Sequence, residues 1–457
     1  MYRRVAIIGG GAAAATVISE LLDRPSAHTL RVDWYTGTGG KLARGVAYGT
    51  ASDRHLLNVR AASMSLFTGK PRGFLDFAQR NDSSIKGTDF LPRRMYGDYL
   101  EAEVMRVLEQ AKVAGHDIQI IPFDVDGIVP EPTGVTVMQG DESRHADAAI
   151  LAIGSLPPQP LSGIDDAVLA SGKYIVDPWK FLADVVPDDT PRTVVVVGMG
   201  LTAADVMLEL GAQWPNARFI AMSRHGHLPE AHAASPSAPL DDGGELFESM
   251  RDAPDMRTWM RLVRETVEGS SDWRTIVDGL RPHLPDLWQT LSHTERARFM
   301  RHVRWAWERV RHRMPPQVAS TLDTFEREGR LRRCKGHMQA VHLAQGKLQL
   351  DIVPYHDPIL AESLQADLVI QTVGLNTDIR RTDHGLIRQL ETNGHVIADP
   401  FGMGLHAEPD GRVYHKDGLW PHFFAIGSML RGTLWETTAI PEIRQQARSL
   451  AERLLAE

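Results

Sequence analysis

Apolar runs of strand length alternate along this chain with glycine turns and with stretches of helical spacing. Arg4 to Ile8 (RVAII) is a compact β-type run; Gly9, Gly10 and Gly11 follow, and from Ala12 to Leu22 the apolar positions fall at helical intervals. The pattern predicts strand, tight turn, helix. It recurs at Thr193–Val197, the turn Gly198-Met199-Gly200 and the stretch LTAADVMLELG, with Gly211 as the expected helix stop. Between the two, Ala148 to Ile153 predicts a buried strand ending at Gly154, and Leu156-Pro157-Pro158-Gln159-Pro160 breaks the pattern as a domain exit would. Further buried strands are expected at Asp367–Val373, ending at Gly374, and at Phe423–Ile426, ending at Gly427. From about 230 to 330 strand patterns vanish: an Ala/Pro/Ser-rich loop leads into a segment dense in Trp, Arg and Glu that predicts a helical insertion.

These elements predict an α/β protein with two Rossmann-like dinucleotide-binding domains and a helical insertion in the second. The first domain is expected from residues 1–160 and 375–457, the second from 161–374, with the insertion at about 230–330. Gly9-x-Gly11-x-x-Ala14 has the spacing that pyrophosphate binding needs: one glycine for the turn, one for close backbone approach, and a small third residue for helix-on-strand packing. Phosphate charge would then sit at a helix N-terminus. The second strand, Arg31–Tyr35, ends at Thr36 rather than at an acid, and Asp33 lies inside the strand, so Thr36 or backbone is expected at the ribose. Gly198-x-Gly200-Leu201-Thr202-Ala203 repeats the logic, and Ser223 and Arg224 stand where an NAD site would carry a carboxylate. A hydroxyl and a cation there suit a 2′-phosphate, which favours NADPH. Two dinucleotides in one chain serve to set one redox ring against the other, and with a nicotinamide on the second site the first is expected to hold FAD.

Composition narrows the picture. At 457 residues and about 100 to 200 per domain, two or three domains are expected. The 50 Lys and Arg against 58 Asp and Glu give a formal charge of −8, which argues against nucleic acid and anionic membrane as partners. Cys334 is the single cysteine, so an intrachain disulfide and a redox-active cysteine pair are excluded, and a cytoplasmic location fits. Arg3-Arg4 and the apolar run after them resemble a secretion signal, but the glycine triplet interrupts the run, and no stretch approaches the roughly 18 apolar residues of a membrane span. His225 and His227 lack any metal-binding spacing, so no metal site is expected. Residues 296–313 hold seven arginines, two histidines and two tryptophans. At helical spacing this run is either a basic face for NADPH or an anionic substrate, or a solvated helix whose Phe299 and Trp305 pack inward.

Several strings go further: Gly45-Val46-Ala47-Tyr48; His55-Leu56-Leu57-Asn58-Val59 with Met64-Ser65; Pro92-Arg93-Arg94-Met95-Tyr96-Gly97-Asp98-Tyr99-Leu100; Ser223-Arg224-His225-Gly226; and Arg431-Gly432-Thr433-Leu434-Trp435-Glu436-Thr437-Thr438-Ala439-Ile440-Pro441. In these the chain resembles the two-dinucleotide-binding-domain flavoproteins and, within them, a bacterial FAD/NAD(P)-binding family. The resemblance implies that Gly45–Tyr48 and Leu57–Met64 lie along the flavin, and that Gly427, Thr437 and Thr438 close over its end. It makes Tyr48, Asn58 and Met64 the residues nearest the chemistry and adds Arg93 and Gly374 to the cofactor-binding set. Asp367-x-x-x-Gln371-Thr372-Val373-Gly374 is similar to the D-x-x-x-F-A-T-G element of N-hydroxylating monooxygenases, with its threonine one place early. The Baeyer-Villiger pattern is not met, since Val176 stands at its histidine position.

The expected function is therefore that of an FAD- and NADPH-dependent monooxygenase. It would act through a flavin C4a-(hydro)peroxide to pass one oxygen of O₂ to a small nitrogen, sulfur or carbonyl substrate. The alternatives are an NADPH-linked reductase without oxygen insertion and a non-catalytic nucleotide-binding sensor.

Overall fold

A computed structural model describes residues 4–26, 28–235, 243–353, 362–374 and 376–456. Part of the Ala/Pro/Ser-rich loop, 236–242, lies outside the described residues. Two parallel sheets organise the chain. The first has six strands in the order Arg412–His415, Gly418–Ala425, Ala148–Leu151, Arg4–Ile8, Arg31–Tyr35, Asp117–Ile121, with only the first edge strand antiparallel. Parallel strands covered on both faces must be apolar throughout, and Val5 to Ile8 and Ala148 to Leu151 are all buried. Helices Ala12–Leu22, Arg93–Val113 and Ile440–Ala456 cover one face, packing Val17, Ile18, Leu21, Leu100, Ala447 and Leu450 against Val5 and Ile7. The antiparallel sheet of 127–146 and helix Gly385–Thr392 cover the other through Ile128, Val135, Leu386 and Ile387.

The second sheet is wholly parallel, in the order Leu331–Lys335, Ala217–Ser223, Arg192–Val197, Leu368–Gln371, Tyr174–Ile175. The strand expected over Asp367–Val373 is thus shorter at both ends. The Asp367 carboxylate instead accepts the Thr193 N–H at 2.8 Å, and the Thr372 hydroxyl donates to the Val197 carbonyl at 3.0 Å. Helix Leu201–Gln213 runs past Gly211, which is therefore not its stop. A Cβ at Gly211 would stand 2.5 Å from the Phe325 ring, so this glycine lets helix Pro316–Arg327 approach.

Two chain passages join the sheets, and Leu156 pairs with Asn376 where they run side by side. Gln371 ties them: its amide donates to the Gln159 carbonyl at 2.9 Å while its oxygen accepts from the Leu161 N–H at 3.1 Å and the Tyr174 hydroxyl at 3.0 Å.

Residues 243–327 are helical, with Asp255, Asp272 and Ser292 each capping a helix start by accepting a backbone N–H. The basic run is not one helix. His293–Arg298 and Arg304–Arg311 are separated by a π-helical turn, Phe299–Val303. That turn shifts the phase of everything after it. Phe299 packs inward at 8% exposure, but Trp305 stands 37% exposed while Arg311 and Arg313 are buried at 5% and 3%. Phe299 thus packs inward as one reading of this run expects and Trp305 does not, while Arg298 and Arg301 of the basic run stay exposed. No helix among the described residues is long and apolar enough to cross a membrane.

Candidate functional site

The first glycine turn is crowded. Gly9 has φ +127°, and a Cβ there would overlap the Ala152 carbonyl; one at Gly10 would overlap the Thr36 carbonyl. Only Gly11 has room, its nearest neighbour being the Gly45 Cα at 3.5 Å from an added Cβ. Gly11 is the extended N-cap of helix Ala12–Leu22 and no side chain caps it, so the first N–H groups of that helix are left for an anion. Ala14 is fully buried, which lets the helix sit close on the strands. Beside the turn opens a cleft of about 560 Å³ lined by Gly9, Thr36, Gly37, Asp124, Val125 and His384. Thr36, the residue expected at the ribose, is among those that line it. A carboxylate enters the same cleft from another loop: Asp124 accepts from the Thr38 hydroxyl at 2.5 Å.

A second group of residues comes from the segments 48–64 and 427–444. Tyr48 is half-buried against Tyr96, ring centroids 4.8 Å apart, and desolvation raises its phenol to about 12. Leu57 and Met64 lie in the first core, so Met64 packs there rather than facing a cleft. The Asn58 carbonyl bonds His232 Nε2 at 3.0 Å. Burial, with Arg313 next, lowers that imidazole to about 3, so it is neutral and donates. Gly427 has φ +71° and gives its N–H to the Gln446 side chain at 3.0 Å.

Trp435 is the strained residue of this group. Its φ of 62° and ψ of −66°, with the Glu436 N–H donating to the Leu434 carbonyl at 2.8 Å, make a γ-turn of the unfavourable hand. Trp288 stacks on it at 5.2 Å and Phe299 meets it edge-on at 4.8 Å, which holds the turn. Burial opposes ionisation of Glu436. Arg311, His312, the Trp307 indole and Arg281 outweigh it and hold the carboxyl at about 2. Thr437 is fully buried and its hydroxyl has no partner, whereas Thr438 is exposed. The Tyr96 hydroxyl and Arg444 Nε are likewise buried without a hydrogen bond.

The second glycine turn is open where the first is closed. Gly198, φ +108°, faces the Thr372 carbonyl, but a Cβ at Gly200 would meet nothing within 4 Å. Gly200 is the uncapped N-cap of the helix begun by Leu201 and Thr202. Gly374, φ +103°, is exposed. Ser223 ends its strand and its hydroxyl accepts the Gly226 N–H at 2.9 Å. Arg224 is exposed and lacks a carboxylate partner among the described residues. Lys335, opposite Ser223 in the strand register, is a second exposed cation. Desolvation and then the charge of Arg224 lower His225; desolvation, Arg309 and Lys335 lower His227. Arg93 joins the two halves, donating to the Leu56 carbonyl at 3.1 Å and to Asp205 at 2.8 Å. Burial raises Asp205 to about 6 against the pull of Arg93, and burial with Arg93 lowers His55 to about 4.

Residues 6–156 match the family model described as FAD-NAD(P)-binding. This segment is an FAD/NAD(P)-binding domain. Comparison with curated proteins finds no match. Among solved structures, the chain is similar to the ornithine N-hydroxylase of Kutzneria sp. 744, solved with reduced FAD, NADP+ and L-orn. Identity is 16%, TM-score 0.64, and 99% of each chain is covered. It is also similar to the L-lysine 6-monooxygenase of Pseudomonas syringae, at 16% identity and TM-score 0.69 with 99% of each chain covered. The bacillithiol disulfide reductase of Staphylococcus aureus matches at 10% identity and TM-score 0.57, with 99% of this chain and 98% of that one covered. At these identities the likeness is one of fold.

The FAD/NAD(P)-binding domain thus brings Gly9, Gly11, Ala14, Thr36 and Gly45 to the carboxyl ends of its strands. Gly198, Gly200, Leu201, Thr202, Ser223, Arg224 and Gly374 cluster on the second sheet, and Arg93 bridges the two sets. Asp124, Lys335 and Trp305 escape a reading by spacing, because each reaches its site from a different loop or insertion. Lys335 comes in on the strand that runs parallel beside the one ending at Ser223, a pairing that the sequence does not announce.

Proposed function

We propose that this protein is an FAD- and NADPH-dependent monooxygenase acting on a small nitrogen-, sulfur- or carbonyl-containing substrate with O₂. The observation that carries the reading is the pairing of unlike glycine turns in one chain. One lies beside a cleft lined by the neutral Thr36, and the other lies on the sheet whose strand ends carry Ser223, Arg224 and Lys335. The first suits FAD and the second suits a nucleotide with a 2′-phosphate. The N–H groups after Gly11 would hold the pyrophosphate, and Thr36 and Asp124 line the space for the adenosine. The orphaned Thr437 hydroxyl, three residues before helix Ile440–Ala456, fits a flavin edge: an unbonded buried hydroxyl is costly unless a ligand satisfies it. FAD, when bound, supplies hydride acceptance from NADPH and activation of O₂.

The chain's own residues position and shield. Trp288 donates its indole N–H to the Gly432 carbonyl at 2.7 Å, Gln289 bonds the Thr433 carbonyl, and Trp307 bonds Glu436 at 3.1 Å. The helical segment is thereby fixed over the Trp435–Thr437 turn, where it excludes water from the flavin end. The likeness to amino-acid N-hydroxylases across the whole chain, helical segment included, supports a nitrogen substrate first. Reduction of the FAD-loaded protein by NADPH without air, then rapid mixing with oxygenated buffer, tests the reading. A transient flavin absorbance before reoxidation is expected. Direct return to the oxidised spectrum makes the protein a reductase, and absence of reduction by NADPH rejects both.

A further inference from the structure

The rim of the second site continues onto the helical segment. His225, two residues beyond the strand Ala217–Ser223, lies parallel to Trp305, with centroids 4.1 Å apart and planes at 18°. His227 is nearly parallel to the same indole at 6.3 Å and 15°. Trp305 nevertheless stays 37% exposed, among the few large apolar side chains left at the surface. Of the nearby cations, Arg309 is paired with Glu230 and Arg333 with Glu326. Arg224 and Lys335 have no such partner among the described residues, so they face an anion without competition. An indole that carries His225 on its plane and still leaves 37% of its surface exposed, beside two uncommitted cations, matches a purine ring joined to a phosphate.

We propose that Trp305 is the platform on which the adenine of NADPH stacks, with its 2′-phosphate between Arg224 and Lys335. The inference rests on the NADPH reading above and assigns part of that site to the helical segment. It also links the two sites, because helix Arg304–Arg311 presents Trp305 to the second site and Trp307 and Arg311 to Glu436 of the Trp435–Thr437 turn. Trp307 bonds Glu436 at 3.1 Å and Glu308 accepts from Arg431 at 2.8 Å.

The test is calorimetric titration of the FAD-loaded full chain with 2′,5′-ADP, 5′-AMP and NMN. Wild type is expected to prefer 2′,5′-ADP over 5′-AMP. Trp305→Ala should raise the Kd for 2′,5′-ADP about tenfold, the scale of losing one base stack, with NMN unchanged. Trp305→Phe should restore most of that loss, and Lys335→Gln should weaken 2′,5′-ADP while sparing 5′-AMP. Equal binding of 2′,5′-ADP by Trp305→Ala and wild type overturns the platform and leaves the NADPH reading standing. Equal loss of NMN and 2′,5′-ADP also overturns it, by showing a general structural defect. No preference of wild type for 2′,5′-ADP removes the NADPH reading and the platform together.

Discussion

The two glycine turns share a spacing and differ in what surrounds them. In the first, Gly9 and Gly10 are pressed by the carbonyls of Ala152 and Thr36, and Gly11 lies against Gly45. In the second, Gly198 is pressed by Thr372 but Gly200 has open space, and the strand beside it ends in uncommitted cations. The lesson is that the first glycine of each turn is demanded by the fold, while the freedom of the others is decided by the neighbouring loop.

Substitutions can break this comparison in order of effect. Gly9→Ala and Gly198→Ala set a Cβ into a backbone carbonyl at a positive φ. Each is expected to cost on the order of 3 kcal/mol, read as a lower melting temperature, whereas Gly200→Ala should melt near wild type. Gly11→Asp puts a negative charge on a helix N-terminus with room to accept the side chain. It should yield folded protein without FAD, while Gly200→Asp should keep FAD and lose NADPH binding, both scored by flavin absorbance and nucleotide titration. Arg224→Ala should weaken NADPH by about tenfold and NADH little, a loss of one charge-assisted phosphate contact; equal loss of both nucleotides would remove the 2′-phosphate assignment.

The smallest effect concerns the contact between the units. His55 and His232, held down at about 4 and about 3, are neutral in the fold and protonated in the unfolded chain below about 6.5. The unfolded chain therefore binds more protons between pH 4 and 6.5, and stability falls as pH drops through that window. Asp205, raised to about 6, works the other way between about 4 and 6, since its folded form takes the proton first. With two imidazoles against one carboxyl, the melting temperature should fall on acidification from pH 6.5 to 5. His232→Asn should flatten that fall, and Asp205→Asn should steepen it.

Period and spacing made much of this molecule legible. The strands at Arg4–Ile8, Arg192–Val197 and Ala148–Leu151 read as continuous apolar runs because parallel strands are buried on both faces, and Gly9-x-Gly11 and Gly198-x-Gly200 read as turns because their spacing is a backbone requirement. The helical character of 243–327 was legible from the missing strand pattern. Its phase was not. One π turn at Phe299–Val303 sends Trp305 outward and buries Arg311 and Arg313, an outcome set by packing against Trp435 and Glu436 from the far end of the chain. Gly211 failed as a helix stop for the same kind of reason, since Phe325 occupies the space a side chain would need.

By itself, then, the sequence determined the two-sheet α/β architecture and the paired glycine turns, because local period and backbone sterics act over a few residues. Only the tertiary structure decided that Asp124 enters the cleft beside the first turn, that Lys335 comes beside Ser223 and Trp305 beside His225, and that Thr437 is left buried with an unpaired hydroxyl. These depend on which distant loops share a sheet end, and spacing along the chain carries no record of that meeting.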